Sequence, residues 1–457
     1  MKEVEDFIQG KFQVNCGEIR LSREGAHPLD VRGPGHLGQN ENGRITYTIH
    51  LTPEALGILM NELNRQRQLG LLIPEDEYIQ FTARAYNKPV WSAVIAGSDF
   101  KPGVQGDGMA YGTIGELINR FPRPESGETT SARLVMRETI AFPATEFSEV
   151  TVVREGRQHS QKLSRDYSTF QSGNDNFVLM RTEHGTELLC RFQQGGVEQF
   201  RHVRMQEALQ FALGQFLTPC VIEIASGEWL DTHLRSVSHR KPRDSRQKPP
   251  LSFRLDPIGR GEVYDIATAY YEAIQAHSIK DWHPLSSHVY FLIEAGNAAV
   301  ELQALGIGVA TEGIAGTCFP NLAPVAPSFL EEIANLQEQL DTLGISETLK
   351  ARVSGALGAM REVRNADNLR AFVSQNELNQ RLFKSWKKLR NSSAHGSQFN
   401  SREVAKTLGR LNDVLYLAYA MILYFINYHG VRTDYSSPGF PEITPPPNPL
   451  TSPPQPS

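Results

Sequence analysis

Arginine, asparagine and histidine stand together in Arg390-Asn-Ser-Ser-Ala-His395, which closes a run that begins Lys384-Ser-Trp-Lys-Lys-Leu. An arginine is always charged and clamps phosphate through a planar fork of donors. Asn391 adds a hydrogen-bonding amide, and His395 titrates near neutrality, so it can move protons. Those are the parts needed to cut a phosphodiester without a metal ion. On an ideal helix, at about 100° per residue, Lys384, Lys388, Asn391 and His395 fall within about 60° of one another. Leu382, Phe383, Trp386 and Leu389 centre on the opposite side, the natural core face. Arg390 falls about 140° from His395. Either its long side chain wraps around a helix end, or a second copy of the chain completes the site. A plainer role is also open to Asn391 and His395: near a helix end such side chains bond free carbonyls, and a charged histidine is favoured by the helix dipole.

The elements that must position this run are helices. Beyond Glu262, apolar residues recur at three- and four-residue spacing over Val263–His277 and His288–Leu305. Ser328-x-x-Glu331 reads as a capping box opening a helix to Leu343, and a further helix fits Glu347–Arg361. Ser374-x-x-Glu377 starts or continues the helix that carries the motif, Gly396 stops it, and Asn400-x-x-Glu403 opens a last helix to Asn427. Short connections between amphipathic helices read as a bundle.

The first half reads differently. Arg44–Leu51 alternates β-branched and polar residues, as a half-buried strand does. Short runs of the same kind recur at Ile79–Tyr86, Arg133–Met136, Val150–Val153, Phe177–Arg181 and Glu187–Phe192. One helix interrupts them near Met205–Leu217, and Val221–Ile224 returns as a strand. The fold class is α+β: an antiparallel β-rich domain of sandwich or barrel type over residues 1–234, then an all-α bundle over 262–430. Residues 235–261 are a basic, proline-containing stretch that suits a solvated linker or, alternatively, a contact for a nucleic-acid backbone. Residues 431–457 form a proline-rich tail expected to be extended or disordered. Gly33-Pro-Gly-His-Leu-Gly38 and the glycines of Gly97–Gly115 lack both P-loop and dinucleotide-site context and read as loop glycines.

Bulk properties narrow the function classes. A length of 457 residues implies two or three domains. A net charge of −5 means that any nucleic-acid contact must come from local basic patches. Cys16, Cys190, Cys220 and Cys318 are widely spaced, which speaks against a zinc site or a disulfide framework and fits a reducing cytoplasm. The acidic start has no apolar signal core, and the longest apolar run, Val414–Ile426, is too short to span a membrane and reads as a buried helix.

The Arg-x4-His pattern with asparagine after the arginine, near the end of an amphipathic helix in a helical bundle, resembles the signature of the HEPN superfamily of helical nucleases. Leu389 before it and Gly396 after it resemble the ApeA-like members. So does Phe291-Leu-Ile-Glu-Ala-Gly-Asn-Ala-Ala-Val-Glu-Leu302, which is similar to their first helix, with its acidic residue at Glu294 or Glu301. The β-rich half, with Glu207-Ala-Leu-Gln-Phe-Ala-Leu-Gly214, is similar to the N-terminal domain of ApeA-type anti-phage proteins. The resemblance implies metal-independent RNA cleavage by the ribose 2′-hydroxyl, with no cofactor, in a cytoplasmic homodimer. It implies that His395 is the acid or base, that Arg390 stabilises the transition state and that Asn391 orients the phosphate or His395. Lys384 and Lys388 would then hold flanking RNA phosphates, and Glu301 would help. In bacterial defence, abortive infection or toxin-like growth arrest, a phage-derived trigger would act through the β-rich half. The alternative is a non-catalytic dimerisation or RNA-binding bundle with recognition by the β-rich half; a third is a nucleotidyl-modification partner in a toxin–antitoxin pair.

Overall fold

The computed structural model describes residues 2–68, 74–86, 90–95, 99–102, 108–123, 130–154, 157–193, 196–237, 247–253, 260–394 and 404–445. The chain divides into two compact units. Met1–His202, Leu217–Arg243 and Asp256–Arg260 make the first; Val203–Phe216, Asp244–Leu255 and Gly261–Ser457 make the second.

In the first unit, α1 (Lys2–Ile8) leads into β1 (Gln13–Arg23), β2 (Leu29–Gln39) and β3 (Ile45–Leu51). After α2 (Pro53–Gln68) come β4 (Ile79–Ala85), β5 (Val90–Ile95), β6 (Asp99–Pro102), β7 (Gly108–Ile114) and β8 (Glu116–Pro122). Then come β9 (Thr130–Met136), β10 (Glu146–Arg154), β11 (Arg157–Ser172), β12 (Asp175–Thr182) and β13 (Gly185–Phe192). The helix α3 (Arg201–Leu213) precedes β14 (Val221–Ser226) and β15 (Trp229–Arg235). Among the described residues, all fifteen strands of this unit join one sheet, ordered β10-β11-β12-β13-β9-β14-β15-β8-β5-β4-β1-β2-β3-β7-β6, with every pairing antiparallel.

The alternation read from the sequence recurs as burial. Ile45, Tyr47, Ile49 and Leu51 point inward from β3, and Ile79, Phe81, Ala83 and Ala85 do so from β4. Their core also takes in Phe7 of α1 and Leu59 of α2. The Gly33–Gly38 stretch, expected as a loop, lies inside β2 instead. A Cβ at Gly33 would sit 2.0 Å from the His50 carbonyl oxygen, and one at Gly35 would sit 2.0 Å from that of Thr48. The two glycines therefore let β3 approach closely, a use of glycine that composition alone reads as a turn.

The second unit is helical. From Val203 onward α3 belongs to it, and Phe211 stacks on Tyr270 with ring centroids 4.9 Å apart. Its other helices are α4 (Glu262–Ile274), α5 (Pro284–Ala295), α6 (Val300–Cys318), α7 (Pro327–Thr342) and α8 (Glu347–Met360). They continue as α9 (Asn365–Gln375), α10 (Gln380–Ala394) and α11 (Val404–Phe425), with a short hairpin of β16 (Arg432–Thr433) and β17 (Glu442–Ile443). From Asp413 to Leu423 every residue of α11 is buried, which makes it the central helix of the unit. Among the described residues no helix is long and apolar enough to cross a membrane.

Several local expectations change. The helix expected over His288–Leu305 is two helices, broken between Ala295 and Val300, so the Phe291–Leu302 segment spans a turn. Ser328 does not cap α7: Ala326 holds that place, with Pro327 at the first position, where its missing N–H costs nothing. Glu377 sits at φ 52° between α9 and α10, and the start of α10 is capped by Asn379, whose Oδ1 accepts the Arg381 N–H at 2.9 Å. Gly396 and the Asn400–Glu403 box lie outside the described residues.

The described part of the basic stretch is not a solvated spacer. Leu251 and Phe253 are buried, and Gln247 donates to the Leu292 carbonyl at 3.0 Å. Lys248 Nζ reaches Asn412 Oδ1 at 2.7 Å and lies 4.3 Å from the Phe440 ring centre. Tyr435, from the segment expected as tail, donates to the Pro249 carbonyl at 2.7 Å. Residues 431–445 thus pack back onto the helical unit, while 446–457 lie outside the described residues.

Candidate functional site

The site is built on the pairing of α10 with α6. Leu382, Trp386 and Leu389 are buried, Phe383 is half-buried and stacks on Trp386, and Lys384, Lys388, Arg390 and Asn391 are exposed. The apolar face therefore docks as its spacing requires, and the polar stripe is left outward. Two polar ties fix the helix. Near its start, Ser385 donates to Asp413 Oδ2 at 2.7 Å and Arg381 to Asp413 Oδ1 at 3.0 Å. At the residue after Ser385, the Trp386 indole N–H donates to the Gly308 carbonyl of α6 at 3.0 Å.

That second tie also sets the register of the next turn. Gly308 and Glu312 are one turn apart on α6, as Trp386 and Arg390 are on α10, so docking one pair brings the other together. Arg390 Nε donates to Glu312 Oε2 at 3.2 Å, with the two side chains 44% and 26% exposed. α6 permits close docking because small residues line it. A Cβ at Gly313 would lie 2.3 Å from the His288 ring of α5, and one at Gly316 would lie 2.5 Å from the Asn365 side chain of α9.

The predicted residues are thus sorted. Lys384, Lys388, Arg390 and Asn391 lie along or beside one exposed side of the last three turns of α10. His395 lies outside the described residues. Glu301 is exposed in the first turn of α6, about 16 Å along the axis from Glu312 at an ideal rise, and does not reach Arg390. The carboxylate beside the motif is Glu312. Its distance in sequence hid it, although eleven residues from Glu301 is close to three whole turns, which puts both carboxylates on one helix face.

A second Arg–Glu pair lies in the same unit and is closed. Arg204 and Glu207 on α3 are 0% and 1% exposed and 3.1 Å apart. Arg204 Nη2 also donates to the Asp281 carbonyl at 2.7 Å. Ser286 donates to Glu207 Oε2 at 2.7 Å, and the Tyr270 hydroxyl lies 3.0 Å from Ser286. Burial pushes the Glu207 carboxyl up to about 7, against the opposing pull of Arg204 and Ser286. An ion pair would ordinarily hold a carboxylate low. Here removal from water outweighs the pair, because Arg204 is itself stripped of solvent and its guanidinium also serves a backbone carbonyl. Nearby His283 is pushed down to about 4, first by burial and then by the neighbouring His277 and Arg204. Its Nδ1 accepts the Leu285 N–H at 3.1 Å and so caps α5.

The open pair offers charge to a ligand at the surface, whereas the closed pair offers it only to its neighbours. Comparison with protein-family models, with curated proteins and with solved structures gives no match for this chain.

Proposed function

We propose that the helical unit is a metal-independent endoribonuclease of the HEPN type, with the end of α10 as its active surface. The observation that supports this most is the exposed Arg390, tied to Glu312 at 3.2 Å and followed by Asn391, beside Lys384 and Lys388 on a helix whose apolar face is buried. In this reading Glu312 aims the guanidinium without burying it, and an RNA phosphate shares or displaces the carboxylate. Arg390 then stabilises charge on the phosphorane-like transition state. Asn391 orients the phosphate, and His395 moves the proton of the 2′-hydroxyl or of the leaving oxygen. Lys384 and Lys388 hold flanking phosphates, giving salt-sensitive binding.

The substrate is RNA, with transfer RNA among the candidates, and the β-rich unit senses the trigger in bacterial anti-phage defence. Two copies place their α10 ends together, so that one contributes Arg390 and the other His395. The test compares RNA from cells expressing the wild type with RNA from cells expressing His395→Ala. New discrete ends bearing cyclic phosphate, persisting in EDTA and absent from the variant, are the expected result. Cutting at the wild-type rate by His395→Ala would sink the reading.

The Arg390–Glu312 bond also favours a second reading, in which the motif arginine ties α10 to α6 and the bundle is a non-catalytic assembly or RNA-binding module. It predicts that Arg390→Ala weakens assembly or RNA binding, with no hydrolysis under any trigger.

A further inference from the structure

The sheet of the β-rich unit changes character along three of its strands. On β9, β14 and β15 one face starts with Val135, Val221 and Leu234, all buried in the apolar core. Two residues further along each strand, the same face carries Arg133, Glu223 and Thr232. Cross-strand pairing sets Glu223 beside both of the others. Beyond them the face opens into a cavity of about 270 Å³, whose lining includes Ser131, Arg133, Leu189, Arg191, Glu223 and Leu230.

The charged groups of the cavity are only partly used by one another. Arg133 donates through Nε and Nη2 to the two Glu187 oxygens, at 2.8 Å each, and through Nη1 to Glu223 Oε2 at 2.7 Å. Its fork is thereby held flat with its edge occupied, while the side chain stays 34% exposed, so a ligand meets the plane of the guanidinium. Glu223 uses one oxygen on Arg133, and among the described residues Oε1 has no partner. Arg191 is exposed, between Ser131 and Asn176 on the neighbouring strands, and among the described residues it pairs with no carboxylate. Further in, Thr232 and Asn119 face each other across β15 and β8, 0% and 1% exposed, and their hydroxyl and amide have no hydrogen-bond partner. Such surroundings suit a hydrogen-bonding ligand, not a hydrocarbon.

We propose that this cavity binds a nucleotide whose base carries an exocyclic amino group. The base lies over the Arg133 plane, flanked by Leu189 on β13 and Leu230 on β15, as bases stack on guanidinium groups elsewhere. Its amino group donates to Glu223 Oε1. The phosphate meets Arg191, with the Ser131 hydroxyl beside it. Size decides against larger ligands. The 270 Å³ cavity falls just below the roughly 300–1,000 Å³ of typical ligand sites, which leaves room for one ring system and not for a peptide. Charge decides against a simple anion, because two carboxylates surround Arg133 and only Arg191 is left to attract one. The proposal gives the β-rich unit a ligand class and stands without the nuclease reading.

The test is titration calorimetry of the full chain with AMP, CMP, GMP and UMP. At least one of the first three is expected to bind about tenfold more tightly than UMP, which has no amino group. Glu223→Gln puts an amide donor where the free acceptor stood, and should remove or reverse that preference. Arg191→Ala should weaken the preferred monophosphate about threefold and leave its bare nucleoside unchanged. The trinucleotide of the preferred base separates two sources of the same chemistry: tighter binding than the monophosphate points to a single strand, equal or weaker binding to a free nucleotide. No binding of any of the four at millimolar concentration would overturn the proposal, as would the same preference in wild type and Glu223→Gln. Should Glu223→Gln fail to fold, the exposed Arg191 decides, and an Arg191→Ala chain that binds the monophosphate as the wild type does would also overturn it. Binding at α10 would respond to neither substitution, so this proposal and the nuclease reading fail separately.

Discussion

Arg204–Glu207 and Arg390–Glu312 use the same two side chains at nearly the same separation, 3.1 and 3.2 Å. One is sealed within the helical unit, while the other is close to half-exposed on its arginine. The sealed pair sits within one helix at i and i+3 and takes its further partners from a backbone carbonyl and a serine. The open pair joins two helices, with the Arg390 side chain 44% exposed. The difference teaches that separation says little about what an ion pair is for. Burial decides whether its charges are committed to the groups around them or stay available to a ligand.

The sharpest way to break this comparison is to remove one charge from the sealed pair. Above pH 7, where the Glu207 carboxyl gives up its raised proton, Arg204→Ala leaves that carboxylate buried without its cation and is expected to cost about 3–5 kcal/mol in denaturant unfolding of the helical unit. Replacing both partners, as Arg204→Met/Glu207→Leu, should recover most of that loss. A loss below about 1 kcal/mol for the single change would show that the pair is not sealed in solution.

The pH dependence is the next largest effect. Glu207 has its folded value raised to about 7 from the ordinary 4.5. The folded state therefore holds this proton more tightly than the unfolded chain does. The contribution is complete below pH 4.5 and is lost as pH rises towards 7, a decline of roughly 3 kcal/mol. Unfolding curves from pH 4.5 to 7.5 should show the decline in the wild type and lose it in Glu207→Gln. The same slope in both proteins would assign it to another group.

The smallest effect belongs to the open pair. Glu312→Gln keeps the shape and removes the charge, and is expected to shift unfolding by no more than about 1 kcal/mol, since solvent screens an exposed pair. A larger loss would make Arg390 part of the scaffold and favour the assembly reading.

The physics that made parts of this molecule legible is local. The faces of α10 follow from 3.6-residue periodicity, and the inward residues of β3 and β4 from two-residue alternation, so both could be read from adjacent residues. What stayed hidden depended on distant partners. Nothing near Glu312 connects it to an arginine 78 positions later; the register is set by the Trp386–Gly308 hydrogen bond. Gly33 and Gly35 read as a loop because the demand for glycine comes from the carbonyls of His50 and Thr48 on the next strand. Lys248 read as a solvated linker cation because Asn412 and Phe440, which receive it, lie far along the chain.

The glycines of α6 also bear on the order of folding. Gly306, Gly308, Gly313 and Gly316 fall within one 19-residue helix, and each costs about 1 kcal/mol of helical propensity relative to alanine. Such a segment is a poor helix by itself, and its stability comes from docking. It is held by docking against α5, α9, α10 and α11, so α6 is expected to form late and cooperatively rather than as a nucleus. Its amide hydrogens should exchange only in the same global opening that releases α10, and the surface that carries Arg390 is therefore present in full or absent altogether.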